Sequence, residues 1–436
     1  MNIIQNIKNT FFSRVLGFVL LFASSVMLSR ILGPEGRGLN AILSANAELF
    51  SIFLSFNISQ TLTYFVAKDP VNRFEIAGLG LILVLFGVIT FLFLILSALV
   101  FKGAFLDFLI PKGYQEYFYL FFLFAIFTFG LLNSFIDGIW QGIKNFKQLN
   151  FFLMFNATLG VVVYCKIFFL NSYNTSLTYT FSHIIAYNSI FLLVKFIFFF
   201  NSNYKIVFIF KNIEIKKILL YCISSWSANV FNFFNKRLSI WFIQFYRGIE
   251  SLGYFSLSSN LIEIIVLMIY TINTVISPYI TTATNEDQLL ILGRFSRVVT
   301  TGMIFFVFSS YCFSTFIIKF FYGTKFIDSV IPMQILSFSS FFLVFYNILA
   351  LYNAARGEQK INLISNIVSF IIVIISNFIL VPLLGVKGAC ISILFSSFLK
   401  LTIILFHSLK KFSLKLSFFL FVNRGDLLFL IKKVKF

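Results

Sequence analysis

About a dozen apolar stretches, each about 20 residues long, fill most of the 436-residue chain. That is the length an α-helix needs to cross the hydrocarbon core of a bilayer. Inside lipid every backbone N–H and C=O must find its partner within the folded element, so continuous apolar runs of this length fold as membrane helices. The expected spans lie near 10–31, 39–66, 76–101, 117–141, 150–170, 177–200, 217–246, 252–276, 298–318, 332–353, 361–381 and 388–408. The fold class read from this pattern is an all-α integral membrane protein of about twelve transmembrane helices in two six-helix bundles.

Composition removes other classes. Hydrophobic residues make up 59% and charged residues 11%, and the mean hydropathy is +0.96. Helices apolar all round belong in lipid or in a large core. The formal charge of +19 would fit nucleic-acid binding, but its placement is topological. With the N-terminus inside, the cytoplasmic loops and tails carry more than twice as many Lys and Arg as the opposite side, as the positive-inside rule requires. Both termini are therefore expected in the cytoplasm, and no nucleic-acid partner is expected. The 66 phenylalanines rise together with Ile, Asn and Lys and carry no functional weight. Cys165, Cys222, Cys312 and Cys390 fall in or beside spans without metal spacing, so they read as small apolar fillers.

A weak internal repeat divides the chain. Gly38 and Gly253, Glu48 and Glu263, and Gly142 and Gly357 share one offset of 215 residues (253 minus 38). Six spans per half give parallel repeats, an arrangement that in transporters places substrate near the membrane midplane. The domain reading is 1–200 for the first bundle, 201–217 for a basic cytoplasmic linker, 218–408 for the second bundle and 409–436 for a basic interfacial tail. Linker and tail are expected to meet membrane lipids at the anionic surface.

Charges inside the spans point to function, because an ionisable group at membrane depth is costly unless it faces a partner or a wet cavity. Arg14, Lys166, Lys195, Lys236, Arg237 and Lys400 all fall in spans. At 100° per residue, Ser225, Asn229, Asn232, Lys236 and Ser239 share one face of the seventh span. Lys236 and Arg237 are too central to snorkel, whereas Lys166, Lys195 and Lys400 are expected to snorkel or lie at the interface. The cationic site is therefore assigned to Lys236, Arg237, Arg14, Asn229 and Asn232, with an anionic cargo. Glu48 and Glu263 sit on hydroxyl-rich stripes of the second and eighth spans, and Asp137 lies on the fourth beside Asn133. These three acids are the candidates for proton or sodium coupling. Packing of Ser and Asn stripes between helices is the plainer reading of the same pattern. No catalytic triad, metal cluster or phosphate-binding glycine loop appears, so neither enzyme activity nor a metal nor a resident cofactor is expected.

Three motifs carry a resemblance. Ser29-Arg30-Ile31-Leu32-Gly33-Pro34-Glu35-Gly36-Arg37-Gly38 resembles the junction after the first span of polysaccharide flippases. Ser251-Leu252-Gly253-Tyr254-Phe255-Ser256-Leu257 resembles its second-half version. Asn377 to Ala389, with Pro382, Gly385 and Gly388, is similar to the turn between the last two spans. Together they resemble the O-antigen (Wzx-type) branch of the multidrug/oligosaccharidyl-lipid/polysaccharide exporter superfamily. The resemblance implies two six-helix bundles working by alternating access in the bacterial cytoplasmic membrane. The implied cargo is an undecaprenyl-diphosphate-linked oligosaccharide, with a polymerase or ligase of the same glycan pathway as a possible partner. Two other readings stand beside it: a cation-coupled drug antiporter of the same superfamily, and a membrane polysaccharide polymerase. Antiporters of that superfamily usually carry an acid in the first span, where this chain has Arg14. A polymerase would be expected to carry a long external loop with clustered catalytic residues, and none is evident.

Overall fold

In the computed structural model the described residues are 3–412, apart from 102, 171–175, 202, 203, 205, 212, 283, 284 and 357. Side chains within helices are described except at 3–15, 224, 227, 228, 268–282, 285–292, 354 and 355. The expectations for Arg14's side chain, for Gly357 and for the tail beyond 412 therefore lie outside the described residues.

The chain is a run of helices. α1 covers Ile3–Ser55, α2 Ile58–Lys68, α3 Arg73–Phe101, α4 Ala104–Leu109, α5 Tyr117–Gly142, α6 Phe146–Leu170 and α7 Leu177–Asn201. The second half follows with α8 Ile215–Thr282, α9 Asn285–Ile317, a π turn at Ile318–Tyr322 and a 3-10 turn at Thr324–Ser329. α10 Val330–Ala355, α11 Gln359–Leu384 and α12 Val386–Phe412 complete it. Nine helical segments among the described residues are long and apolar enough to cross a membrane, Leu16–Ser55 counting as one although it is kinked. The twelve expected spans all fall on helices, two each on α1 and α8. The protein is a multi-pass membrane protein.

Two expectations about boundaries change. The first two spans are not separated by a loop: α1 runs from one into the other through a kink at Gly33 (φ 67°, ψ −178°). Arg37, expected in an outward loop, is consequently buried in α1, donating to Ser29 Oγ at 2.7 Å and to the Ser25 carbonyl at 3.3 Å. The second span, read as one helix over 39–66, is instead broken at Phe56 and Asn57, both left-handed at φ 47° and 58°. α2 restarts immediately after.

The kink has a twin. Gly248 breaks α8 at φ 80°, ψ −178°, and it lies 215 residues after Gly33 (248 minus 33). This region of backbone space is open essentially to glycine alone, so the repeat is written in geometry as well as in spacing. Pro34 follows the first kink, where a new helical segment has no need of its N–H. Each kink is followed by the same device. Glu35 accepts a hydrogen bond from Tyr114 Oη, and Glu250 accepts one from Tyr254 Oη at 2.7 Å. Asn46 donates to the last carbonyls of α4, Phe108 and Leu109, at 2.9 and 3.0 Å. In the second half Ser258 donates to the Ser329 carbonyl ending the 3-10 turn, at 2.8 Å. The short α4 and the 3-10 turn are thus equivalent parts of the two repeats.

By packing, the chain divides into residues 1–240 and 241–436. In the first unit α1 packs on α3, α5 and α6, and α2 on α3 and α5. Phenylalanine fills its core: Phe91 lies 4.1 Å from Phe127, and Phe122 lies 4.5 Å from Phe181, centroid to centroid. The linker docks on this unit too, Val207 N–H donating to the Phe74 carbonyl at 3.2 Å and Tyr204 Oη to the Arg73 carbonyl at 3.2 Å. In the second unit α12 packs on α10 and α11. A Cβ on Gly388 would lie 2.1 Å from the Leu380 carbonyl oxygen, so the close approach of α11 and α12 requires glycine there. Arg247 caps α11, its Nη2 donating to the Pro382 carbonyl at 2.6 Å. Unsatisfied carbonyls at a helix C-terminus favour such a cation. The Pro-Gly-Gly motif read in the sequence is therefore a tight helical hairpin.

Candidate functional site

The first part of α8, residues 215–240, lies along the second half of α1 and α2. Trp226 Nε1 donates to the Ile52 carbonyl at 3.0 Å, Phe53 stands edge-on to Trp226 at 5.7 Å, and Tyr221 stacks on Tyr64 at 4.7 Å. Cys222 Sγ meets Thr61 Oγ1 at 3.3 Å. These contacts set the rotation of α8 and hence where its polar stripe points. Phe233 and Ile240 turn into the unit, whereas Asn232 and Lys236 are exposed and Asn229 is half-buried.

The structure brings together two residues to which the sequence gave different roles. Arg237 Nε donates to Glu48 Oε2 at 2.9 Å, with 24% and 43% of the two side chains accessible. Glu48 is thus the counter-ion of a residue assigned to the cationic site. Lys236, next in sequence and about 100° round the helix, makes no hydrogen bond or ion pair among the described residues. The local balance is one open ammonium beside one neutralised guanidinium. Glu263, the repeat equivalent of Glu48, is half-buried on α8 in the second unit.

Asp137 belongs to a separate polar centre inside the first unit. Lys195 of α7 is 1% exposed. Its Nζ meets Asp137 Oδ1 at 2.7 Å and donates to Asn133 Oδ1, while Trp140 and Phe191 hold the ammonium at 5.4 and 5.5 Å from their ring centroids. Lys195 therefore does not snorkel. A buried carboxylate, an amide and two aromatic faces take the place of water, which is how a charge survives at membrane depth. Lys400 is corrected likewise: it is 5% exposed, with Nζ 4.3 Å over the Tyr346 ring in the second unit. Lys166, by contrast, is exposed.

Beside the Lys195 centre lies a cavity of about 350 Å³ within the first unit, with Asn40, Ser44, Asn133, Asn156, Tyr187 and Asn188 on its wall. Sequence reading missed Asn40, Asn156 and Asn188 because single amides in long apolar runs give no periodic signal. Asn133 and Asp137 were legible, standing one helical turn apart on one face. Among the described residues no group of three or more His, Cys, Asp or Glu is placed to hold a metal ion.

The profile of the polysaccharide biosynthesis protein family matches residues 3–284. The chain belongs to the polysaccharide biosynthesis protein family. Solved structures show the fold it shares with transporters. An inward-facing multidrug resistance MATE family transporter of the MOP superfamily superposes with TM-score 0.72 at 13% identity, over 91% of this chain and 94% of that one. The lipid II flippase MurJ, in an inward closed conformation, gives 0.73 at 17% identity over 98% and 92%. A MOP superfamily transporter from Pyrococcus furiosus, characterised by a binding pocket of reverse polarity, gives 0.64 at 13% identity over 94% and 95%. A search of curated protein sequences finds no match. For a polysaccharide biosynthesis protein with this fold, the site to explain is the cationic stripe of α8, not a catalytic cluster.

Proposed function

We propose that this protein flips an undecaprenyl-diphosphate-linked oligosaccharide across the bacterial cytoplasmic membrane by alternating access. The cargo would be an O-antigen, capsule or exopolysaccharide repeat unit, and both termini would lie in the cytoplasm. The observation that carries the reading is Lys236. It is an exposed ammonium far from either end of a membrane helix, on a stripe with Asn229 and Asn232, beside the Arg237–Glu48 pair. A diphosphate cannot enter hydrocarbon unaided, since an isolated buried charge costs on the order of tens of kcal/mol in a Born estimate. A fixed cation offsets that charge, while amides hydrogen-bond to sugar hydroxyls and the lipid tail stays in the bilayer. An inside-negative potential helps outward movement of the anion by about 2.3 kcal/mol per charge per 100 mV.

Coupling to a proton or sodium ion would fall to Glu48, Glu263 or Asp137. Two of these acids are already tied to cations, Glu48 to Arg237 and Asp137 to Lys195. That arrangement suits an anionic cargo better than a cationic drug, whose carrier needs acids open to the substrate. The likeness to MATE transporters keeps the antiporter as the second reading. A polymerase or ligase acting on the same glycan is the natural partner.

The test is complementation of a flippase-null strain making a matched glycan. Wild type should restore surface polysaccharide and clear accumulated lipid-linked repeat units. Lys236→Ala, inserted at equal level, should fail at least tenfold. Full complementation by Lys236→Ala would remove the cationic stripe from the mechanism. Failure of wild type, with drug efflux instead, would move the protein to the antiporters.

A further inference from the structure

The Arg237–Glu48 pair has a feature that a static structural tie would not need. It lies in a membrane-spanning region, yet both side chains remain partly accessible, Glu48 by almost half. The contact on the page is one N–O approach through Nε at 2.9 Å, not the two-bond fork a guanidinium makes with a carboxylate fixed for stability. The next residue is the exposed Lys236. Ser44 and Ser51 flank Glu48 on α1 at helical spacing, and Asn232 stands one turn from Lys236 on α8.

We propose that Glu48 is a resident counter-ion, exchanged for a phosphate oxygen of the cargo when the diphosphate docks on Lys236 and Arg237. The inference rests on the reading of this stripe as the cargo site. With the site empty, Glu48 neutralises Arg237 at a depth where an uncompensated cation is costly. An arriving diphosphate meets Lys236 first, because that ammonium is already open. Its oxygens then compete for Arg237, offering the planar guanidinium the geometry it binds best. Glu48 is released to water and the neighbouring hydroxyls. On departure the carboxylate returns to Arg237 and helps expel the anion. Glu48 therefore sets affinity and release together. A competing internal anion lowers apparent affinity by the fraction of time it holds the site.

The sign of the test is unusual, because removing an acid should strengthen binding. The probe is geranylgeranyl diphosphate, titrated calorimetrically into the full-length protein in nanodiscs. Glu48→Gln keeps the size of the side chain and an acceptor oxygen but removes the charge. It should bind roughly tenfold tighter than wild type. In proteoliposomes carrying the lipid-linked cargo it should lower both KM and kcat, because release is slowed. Glu48→Ala should tighten binding as well, whereas Glu48→Asp, which keeps the charge, should not. Geranylgeraniol, which lacks phosphate, should show no difference among the variants.

Unchanged or weaker diphosphate binding in the folded neutral variants, alongside weakened binding in Lys236→Ala, would overturn the exchange and leave the cationic site standing. Equal tightening in Glu48→Asp would overturn it too, as a packing effect. No diphosphate binding by wild type, or none of it lost in Lys236→Ala, would fell the cargo-site reading itself, and the exchange with it.

Discussion

Lys195 and Asp137 show how a single charge is tolerated in the first unit, and their unequal burial gives a prediction. The lysine side chain is 2% accessible and the aspartate 28%. Breaking a buried pair from one side costs about 3–5 kcal/mol, because it strands the other charge. Asp137→Ala strands the deeper group and should lower thermal stability in detergent more than Lys195→Met does. The double variant should recover part of the loss. An equal cost for the two single variants would place the charges in similar surroundings and contradict the geometry. The sequence showed that these residues were exceptional but not that they were partners. Asn133 and Asp137 share a visible face of α5, whereas Lys195 lies on another span, and nothing in hydropathy says which spans touch. The same limit separated Glu48 from Arg237. Periodicity places a side chain on a face of its own helix, and only packing chooses the helix opposite.

At the scale of elements, hydropathy located the spans well because bilayer thickness fixes helix length. It could not locate breaks that cost only one or two residues, such as Phe56–Asn57 or the turnless passage through Gly33. The Gly33/Gly248 correspondence was nonetheless readable from the 215-residue offset. The α11–α12 hairpin gives a second prediction. Gly388→Ala puts a methyl group 2.1 Å from the Leu380 oxygen, and overpacking of this kind costs about 1–3 kcal/mol. A lowered unfolding midpoint with unchanged helix content would bear this out. The other ends of these helices are tied by Glu358, which hydrogen-bonds Lys411 and lies 3.8 Å from His407. The Lys411 hydrogen bond holds the Glu358 carboxyl below its ordinary value of 4.5. A depressed carboxylate lends stability that is complete above its unfolded value and lost as pH falls through the folded one. Hydrogen exchange at the start of α11 should therefore quicken below about pH 4 relative to the rest of the helix, and Glu358→Gln should abolish that change.

Across the whole molecule, family membership, the shared transporter fold and the repeat agree. The two halves use the same parts in the same order: a glycine kink followed by a glutamate–tyrosine bond, a short turn held by a polar side chain, then a run of long helices. The candidate site is where that equivalence lapses. Lys236 and Arg237 have Leu21 and Phe22 as their counterparts 215 residues earlier. The loss of cargo transport expected for Lys236→Ala is thus a property of one half, and Leu21→Ala should leave surface polysaccharide within twofold of wild type in the same complementation assay.

The docking of residues 215–240 on the first unit bears on how this gene may be cut. The segment joining the sequence repeats looks like the natural seam, yet a break between Tyr204 and Glu214 would leave the start of α8 held on the first unit by Trp226, Tyr221 and Cys222. Two fragments made there and expressed together would reassemble as a nicked whole. A split that truly parts the units must fall beyond Ile240, inside a helix, where no linker advertises it.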